Sequence, residues 1–338
     1  MSQRIERAHE WHLVRRPRGS TEADDFAMVE VPVPPPASGQ VVVQNTHLSV
    51  DPYMRGRMDD KASYIDPFPL NAALEGGAIG VVVESRADSV EPGDVVEHFL
   101  GLRDVTVTDA ANVSRIELDG LPSEVFLGVL GATGLTAWLG MVDVAPVTAG
   151  DTVLVTGAAG AVGSTAGQIA KLRGAGRVIG SAGTGPKAKR LVEELGFDAA
   201  FDYNEGDYAT HLSKLAPDGL DVVFDNVGGN QLEAAIGHLR VGARIALCGM
   251  ASQYDARRPH GPRNLFELIA KRATARGFIV SDHYDRMPSF RREVQAWVQA
   301  GKVQHSETLV NGLEQVPEVL RRILSTGTSI VGKSVVQI

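Results

Sequence analysis

The chain runs to 338 residues, more than one compact core usually holds and enough for two. Its 43% apolar and 22% charged composition excludes a disordered chain, and a net charge of −8 argues against general affinity for nucleic acid or an anionic membrane. The single cysteine, Cys248, excludes an intrachain disulfide and a cysteine-rich zinc site; residues 1–19 lack the apolar core of a secretory signal, so a reducing, cytoplasmic setting is expected.

The first third reads as β-rich. Residues 40–44 (QVVVQ) and 80–84 (GVVVE) are valine-rich runs bounded by Pro, Gly and Ser clusters, and the turn at 91–94 (EPGD) feeds Val95 and Val96. Two uncharged stretches follow, at 126–142 and 152–170. The first is short and glycine-rich, the second carries glycine, threonine and serine unsuited to a lipid-facing helix, so no membrane span is expected. From about residue 150 strands and helices alternate: strands at 153–156, 177–181, 199–203, 220–226, 243–249 and 275–281, helices at 161–172, 186–195, 231–239 and 289–300. Such alternation requires right-handed crossovers and a parallel sheet with helices on both faces, and six strands is the Rossmann count. Residues 306–310 and 332–338 return to a β pattern around a helix at 316–325. The fold class is therefore α/β, with residues 1–125 and 307–338 forming a β-rich domain and 126–306 a doubly wound, parallel six-stranded one.

The chemistry begins at residues 153–163 (VLVTGAAGAVG), a strand, a glycine turn and a helix start with glycines at 157, 160 and 163. Absent side chains let backbone N–H groups approach a pyrophosphate at the helix N-terminus. An ordinary strand-to-helix turn is the bland alternative, and the position at the head of the βα series favours the cofactor. The next strand ends in Ser181-Ala182-Gly183-Thr184-Gly185 with Lys187, Lys189 and Arg190 beyond it, and no carboxylate to hold both ribose hydroxyls. A 2′-phosphate needs donors and positive charge there, so NADPH is the expected cofactor. The polar turns at 225–229 (DNVGG) and 248–254 (CGMASQY) lie at the same sheet edge, where a nicotinamide ribose would rest. Leu74-Glu75-Gly76-Gly77 has no adjacent histidine and the nine histidines show no ligand spacing, so no metal is expected. A hydride acceptor must then be activated by hydrogen bonds, and tyrosine hydroxyls are the available donors.

Residues 48–58 (LSVDPYMRGRM), the turn at 158–163, and residues 167–172 (GQIAKL), 195–198 (LGFD), 225–229, 248–254 and Gly277-Phe278 give the chain a resemblance that runs nearly end to end. It resembles the zinc-independent medium-chain dehydrogenase/reductases, in the branch of curcumin reductase, prostaglandin (leukotriene) reductase and 2-alkenal reductase. The resemblance implies a GroES-like domain joined to a Rossmann domain, and NADPH-dependent reduction of the carbon–carbon double bond of enones and enals. It further implies cofactor contacts from Ala159, Gly160, Ala161, Val162 and Gly163, from Lys187 at the 2′-phosphate, Tyr203 at the adenine end and Asn226 at the nicotinamide side. Cys248, Gly249, Ser252, Tyr254, Phe278 and Val280 complete the cofactor set. Tyr53, Tyr64 and Tyr254 are implied at the substrate, Tyr254 as the main donor to its carbonyl oxygen and Tyr53 as a clamp. Arg55 and Arg57 fit either substrate binding or structural ion pairs.

Several positions depart from the family pattern. Ile330 stands where the family has Asn, leaving Ser329 as a replacement contact; Ala132-Thr133 replaces Met-Pro; Trp138 replaces a tyrosine; Leu102 or Arg103 replaces a tryptophan; the loop 255–264 is poor in proline and carries His260. The expected partners are a small-molecule enone or enal and a second copy of the chain, paired through the sixth strand. A quinone reductase of the zeta-crystallin type, or a protein that binds NADPH with little catalysis, are the competing expectations.

Overall fold

A computed structural model describes residues 4–254, 260–325 and 330–338 of the chain. Its contacts divide it into two units, Met1–Leu127 with Glu307–Thr328 and Ser334–Ile338, and Gly128–Ser306 with Ser329–Lys333.

The first unit opens with β1 (Arg7–Leu13) and β2 (Phe26–Pro32), an antiparallel pair in register from Arg7 opposite Pro32 to Leu13 opposite Phe26. The long β3 (Gln40–Ser49) leads into a single helical turn, α1 (Tyr53–Arg57), and then β4 (Ala78–Ser85), β5 (Val95–His98), β6 (Val105–Asp109) and β7 (Ser114–Arg115). Valines 41, 43, 82 and 96 turn inward together, as the two-residue period of half-buried strands requires.

The second unit starts with α2 (Ala132–Leu139) and then alternates: β8 (Thr152–Val155), α3 (Ala161–Leu172), β9 (Arg177–Ala182), α4 (Gly185–Glu193), β10 (Ala199–Asp202), α5 (Tyr208–Leu215), β11 (Leu220–Asp225), α6 (Gly229–Gly237), β12 (Leu239–Leu247), α7 (Phe266–Lys271), β13 (Thr274–Gly277) and α8 (Met287–Gln299). Its six strands are parallel in the order β10-β9-β8-β11-β12-β13, so the strand order reverses beside β8, the switch point of a doubly wound sheet. Central strands covered on both faces read as unbroken apolar runs: Val153, Leu154, Val155, Val222, Val223 and Phe224 are all fully buried. That burial accounts for the uncharged stretch at 152–170, and α2 for part of 126–142. Among the described residues no helix is long and apolar enough to cross a membrane.

The chain then returns to the first unit with β14 (Glu307–Asn311), α9 (Val316–Leu324) and β15 (Lys333–Gln337); the sheet runs in the order β14-β15-β3-β4-β5-β7, and β6 pairs with the first half of β3 while β15 pairs with its last residues. Leu48, Met54, Phe68, Leu74, Leu102, Leu320 and Val336 share one core there, 302 residues separating Trp11 from the Leu313 carbonyl its indole N–H reaches at 2.7 Å.

Two expectations need correction. The sixth strand does not run from 275 to 281: β13 ends at Gly277 because its neighbour β12 ends opposite it at Leu247. The apolar run beyond leaves the sheet; Phe278 meets Phe224 edge-on at 6.4 Å and Val280 opens a 3₁₀ turn. The fifth strand starts at Leu239 rather than 243, its first residues lying opposite Leu220 across a register shift.

Candidate active site

Every cofactor residue implied by the sequence lies in the second unit, on a segment that follows the carboxyl end of a parallel strand. After β8 the chain turns at Gly157 (φ +58°), where the Ala158 N–H donates to the Ser181 carbonyl at 2.9 Å and the Gly160 N–H to the Gly157 carbonyl at 3.1 Å. Gly160 caps α3 without a side-chain acceptor, which leaves the first-turn N–H groups of Ala161, Val162 and Gly163 with no partner inside the helix. A Cβ at Gly163 would sit 2.5 Å from the Gly157 oxygen, so glycine is needed for the turn to fold this tightly. Ala159 accepts at 2.8 Å from the Gly332 N–H, and Gly332 bridges Gly160, bringing the segment just after Ile330 alongside the turn. Ser329, the replacement contact, lies outside the described residues, as do residues 255–259.

The segment after β9 carries three basic residues. The Thr184 hydroxyl accepts from the Lys187 N–H at 3.4 Å and starts α4. Lys189 pairs with Glu193 at 3.6 Å and Arg190 with Glu194 at 2.8 Å along the outer face. Lys187 is different: it is half-buried, its ammonium has no acid partner among the described residues, and burial holds its pKa below the ordinary lysine value. Tyr203 stands over Gly183, where a Cβ would meet the hydroxyl at 2.9 Å, and the Asn204 amide donates to the Gly183 carbonyl at 2.9 Å. A half-desolvated cation in the first turn of α4, after a glycine loop that a flat ring overlies, fits a phosphorylated adenosine.

The ends of β8, β11 and β12 are tied together by Asp225, which sequence reasoning placed within a motif without giving it a role. Its fully buried carboxylate accepts from the Thr156 hydroxyl at 2.7 Å and the Gly228 N–H at 2.9 Å, and its carbonyl accepts from the Cys248 N–H at 2.9 Å. Desolvation pushes the carboxyl pKa up, opposed by those donors. Asn226 donates its side-chain N–H to the Thr156 carbonyl at 2.7 Å and its backbone N–H to the Thr156 hydroxyl at 2.9 Å. Burial, reinforced by Asp225, pushes the Cys248 thiol up to about 12, so Cys248 offers backbone and no thiolate. Ser252 donates its hydroxyl to the Val227 carbonyl at 2.6 Å. The Tyr254 hydroxyl lies against Gly249, 3.4 Å from where a Cβ would be, and that same Cβ would be 3.1 Å from the Asn226 carbonyl. Asn226, Gly249, Ser252 and Tyr254 are thus brought together; Phe278 and Val280 stand one strand further out. His260 also borders this edge, 3.0 Å from the Asn230 side chain.

Tyr53 and Tyr64 belong to the first unit. Tyr53 opens α1, packs on the core and lies parallel to Phe99, with ring centres 6.3 Å apart and planes 21° apart. Tyr64 is 60% exposed in the loop after α1. The two arginines beside Tyr53 are structural: Arg55 bonds Asp59 at 2.8 Å and the Gly19 carbonyl at 2.9 Å, and Arg57 bonds Glu75 at 2.8 Å while lying 4.0 Å over Phe68. Among the described residues no three His, Cys, Asp or Glu side chains are grouped to hold a metal ion, so no ligand set fits zinc.

Residues 9–116 match the family described as the N-terminal domain of oxidoreductase, and residues 161–296 match that described as zinc-binding dehydrogenase. The NADPH-dependent curcumin reductase of Escherichia coli (strain K12) is 37% identical over 96% of this chain and 95% of its own. The NADP(+)-dependent 2-alkenal reductase of Nicotiana tabacum is 39% identical over 90% of this chain and 89% of its own. CurA from Vibrio vulnificus, solved in complex with NADPH, superposes with a TM-score of 0.91 at 38% identity, covering 97% of this chain and 98% of that one. The chain therefore belongs to the zinc-independent branch of the medium-chain dehydrogenase/reductase family, built from a GroES-like domain and a Rossmann domain.

Proposed function

We propose that the chain reduces the carbon–carbon double bond of α,β-unsaturated ketones and aldehydes with NADPH. The observation that carries this reading is the Tyr254 hydroxyl, set against Gly249 and Asn226 at the sheet edge to which the cofactor-binding turns converge. NADPH, when bound, supplies the hydride that the β-carbon of the substrate accepts.

The chain's own residues bind and polarise. The first-turn N–H groups of α3 receive the pyrophosphate, and Lys187 neutralises the 2′-phosphate. Asp225, through Thr156, fixes Asn226 at the nicotinamide end. Tyr254 donates its O–H to the substrate carbonyl oxygen. As the β-carbon gains hydride, the double-bond electrons move to the α-carbon–carbonyl unit and charge grows on the oxygen that Tyr254 holds. The enolate then takes a proton at the α-carbon from solvent, giving the saturated carbonyl compound. Tyr53 clamps the substrate and Tyr64 lies at its rim.

A second copy of the chain is the proposed partner. All four residues of β13 are exposed at the sheet edge, and Val241, Leu265, Phe266 and Ile269, on β12 and at α7 beside it, are 54–72% exposed. An unpaired edge flanked by apolar side chains needs a cover, and a symmetric copy supplies one. A reducing cytoplasmic setting fits a chain whose one cysteine keeps its proton.

The decisive assay follows NADPH oxidation with a linear enal, curcumin and a naphthoquinone in parallel, with NADH as control. Saturable enal or curcumin reduction favouring NADPH is the expected result. Turnover of the naphthoquinone alone would replace the proposal with a quinone reductase, and tight NADPH binding with no turnover would replace it with a non-catalytic binding role.

A further inference from the structure

A lone exposed apolar side chain needs no explanation. Phe99 is not alone: it is 41% exposed, and its ring lies parallel to that of Tyr53, the tyrosine read above as a substrate contact. It also stands on a turn whose two flanks are hydrogen-bonded. The buried His98 ring accepts from the Leu100 N–H at 3.0 Å through Nδ1 and donates through Nε2 to the Asn45 side-chain oxygen at 2.9 Å. The Asn45 amide donates to the Arg103 carbonyl at 2.9 Å and to the Thr106 hydroxyl at 3.1 Å, and that hydroxyl donates to the Leu100 carbonyl at 3.2 Å. Leu100 bridges Gly76, and the Gly101 N–H reaches the Gly76 carbonyl at 2.9 Å. Both neighbours of Phe99 are therefore held by a closed polar network, which anchors the backbone from which its part-exposed ring reaches Tyr53.

We propose that Phe99 is a specificity-determining residue that extends the Tyr53 ring into an aromatic wall, selecting enones conjugated to a flat aryl group over linear ones. The proposal rests on the reading that Tyr53 contacts substrate. A flat aryl ring laid on this wall gains ring–ring attraction in addition to buried area, whereas an alkyl chain gains area only. Because the rings are already parallel and held, little side-chain entropy is lost when substrate arrives.

The test compares the wild type with Phe99→Leu, which keeps an apolar side chain of similar size without the ring, and with Phe99→Trp. The substrates are benzylideneacetone and a linear enone of equal carbon count, at saturating NADPH. Phe99→Leu should lower kcat/KM for benzylideneacetone by about three- to tenfold, the range set by one aromatic pair, and change that for the linear enone by less than about twofold. Phe99→Trp should retain the preference, and the KM for NADPH should not move in either variant. An equal fall for both substrates, or an unchanged ratio, would overturn the proposal. If the wild type reduces neither enone, the reaction proposed above fails instead. Calorimetry with benzylacetone on the NADP⁺-loaded protein then decides the role of Phe99: the same three- to tenfold weakening in Phe99→Leu supports it, and unchanged binding overturns it.

Discussion

Replacing Lys187 with alanine removes a cation that the fold half-buries without giving it an acid. The effect on binding follows from that isolation. One hydrogen bond to a charged group contributes about 1.5–3 kcal/mol, which is roughly 10- to 150-fold in dissociation constant. NADPH carries the 2′-phosphate and NADH does not, so Lys187→Ala should weaken NADPH by that factor and leave NADH within about twofold. Fluorescence titration of both cofactors with both proteins measures it. The sign of the pH dependence also follows: the ammonium must be protonated to hold the phosphate, and burial lowers its pKa. NADPH affinity in the wild type should therefore fall with rising pH before a solvated lysine would titrate, and the variant should lack that limb. A desolvated charge also destabilises the cofactor-free fold, so the variant's unfolding midpoint should not drop. Equal weakening of NADPH and NADH would refute the assignment, and so would a variant that binds NADPH as the wild type does.

Tyr254→Phe should reduce turnover about 10- to 100-fold, the loss of one preorganised donor; stopped-flow hydride transfer measures it, and unchanged turnover would remove Tyr254 from the mechanism. His98 sits at about 4 because burial, with Arg103 adding, disfavours its charged form. The unfolded chain binds the proton first, so stability present above about pH 6.5 is progressively lost as pH falls toward 4. Denaturation midpoints at neutral and mildly acidic pH should show this loss in the wild type and a smaller one in His98→Gln. Phe266→Glu with Ile269→Glu should convert a dimer to a monomer by light scattering, since both side chains are 72% exposed and carry little of the protomer's own core. A wild type that is already monomeric would remove the second copy as partner.

Much of the second unit is legible from local signals. The glycine turn, the Thr184 cap with Pro186 in the first turn of α4, and the run of valines in β8 and β11 each announce themselves within a few residues. α7 does not, because Phe266 and Ile269 point outward and blur any helical period. β13 is over-read for the opposite reason: Phe278, Ile279 and Val280 are apolar enough to continue a strand, and only the end of β12 stops them. The Asp225 network is invisible in sequence, since Thr156 and Asp225 are 69 residues apart and their meeting depends on strand order. Arg55 and Arg57 beside Tyr53 fit either substrate binding or structural ion pairs from sequence, and Asp59 and Glu75 decide for the second. Phe99 carries no motif at all; its stack with Tyr53 exists only once two distant loops are packed.

The place of β15 in the first unit's sheet sets an order of events during synthesis. β3 pairs with β15 across almost the whole chain, in register at Val335 with Ser49 and Val336 with Leu48. The first unit therefore emerges from the ribosome with the end of its longest strand, His47–Ser49, uncovered beyond the stretch that β6 pairs, and keeps it uncovered while every residue of the second unit is made. The Rossmann sheet, whose strands come from one continuous stretch, can close before that partner exists. Folding should be late and slow for the unit that emerges first, because the loop to be closed holds the whole of the second unit. In that interval the unpaired end of β3, and the core face that β15 and α9 later cover, are the surfaces a chaperone would protect.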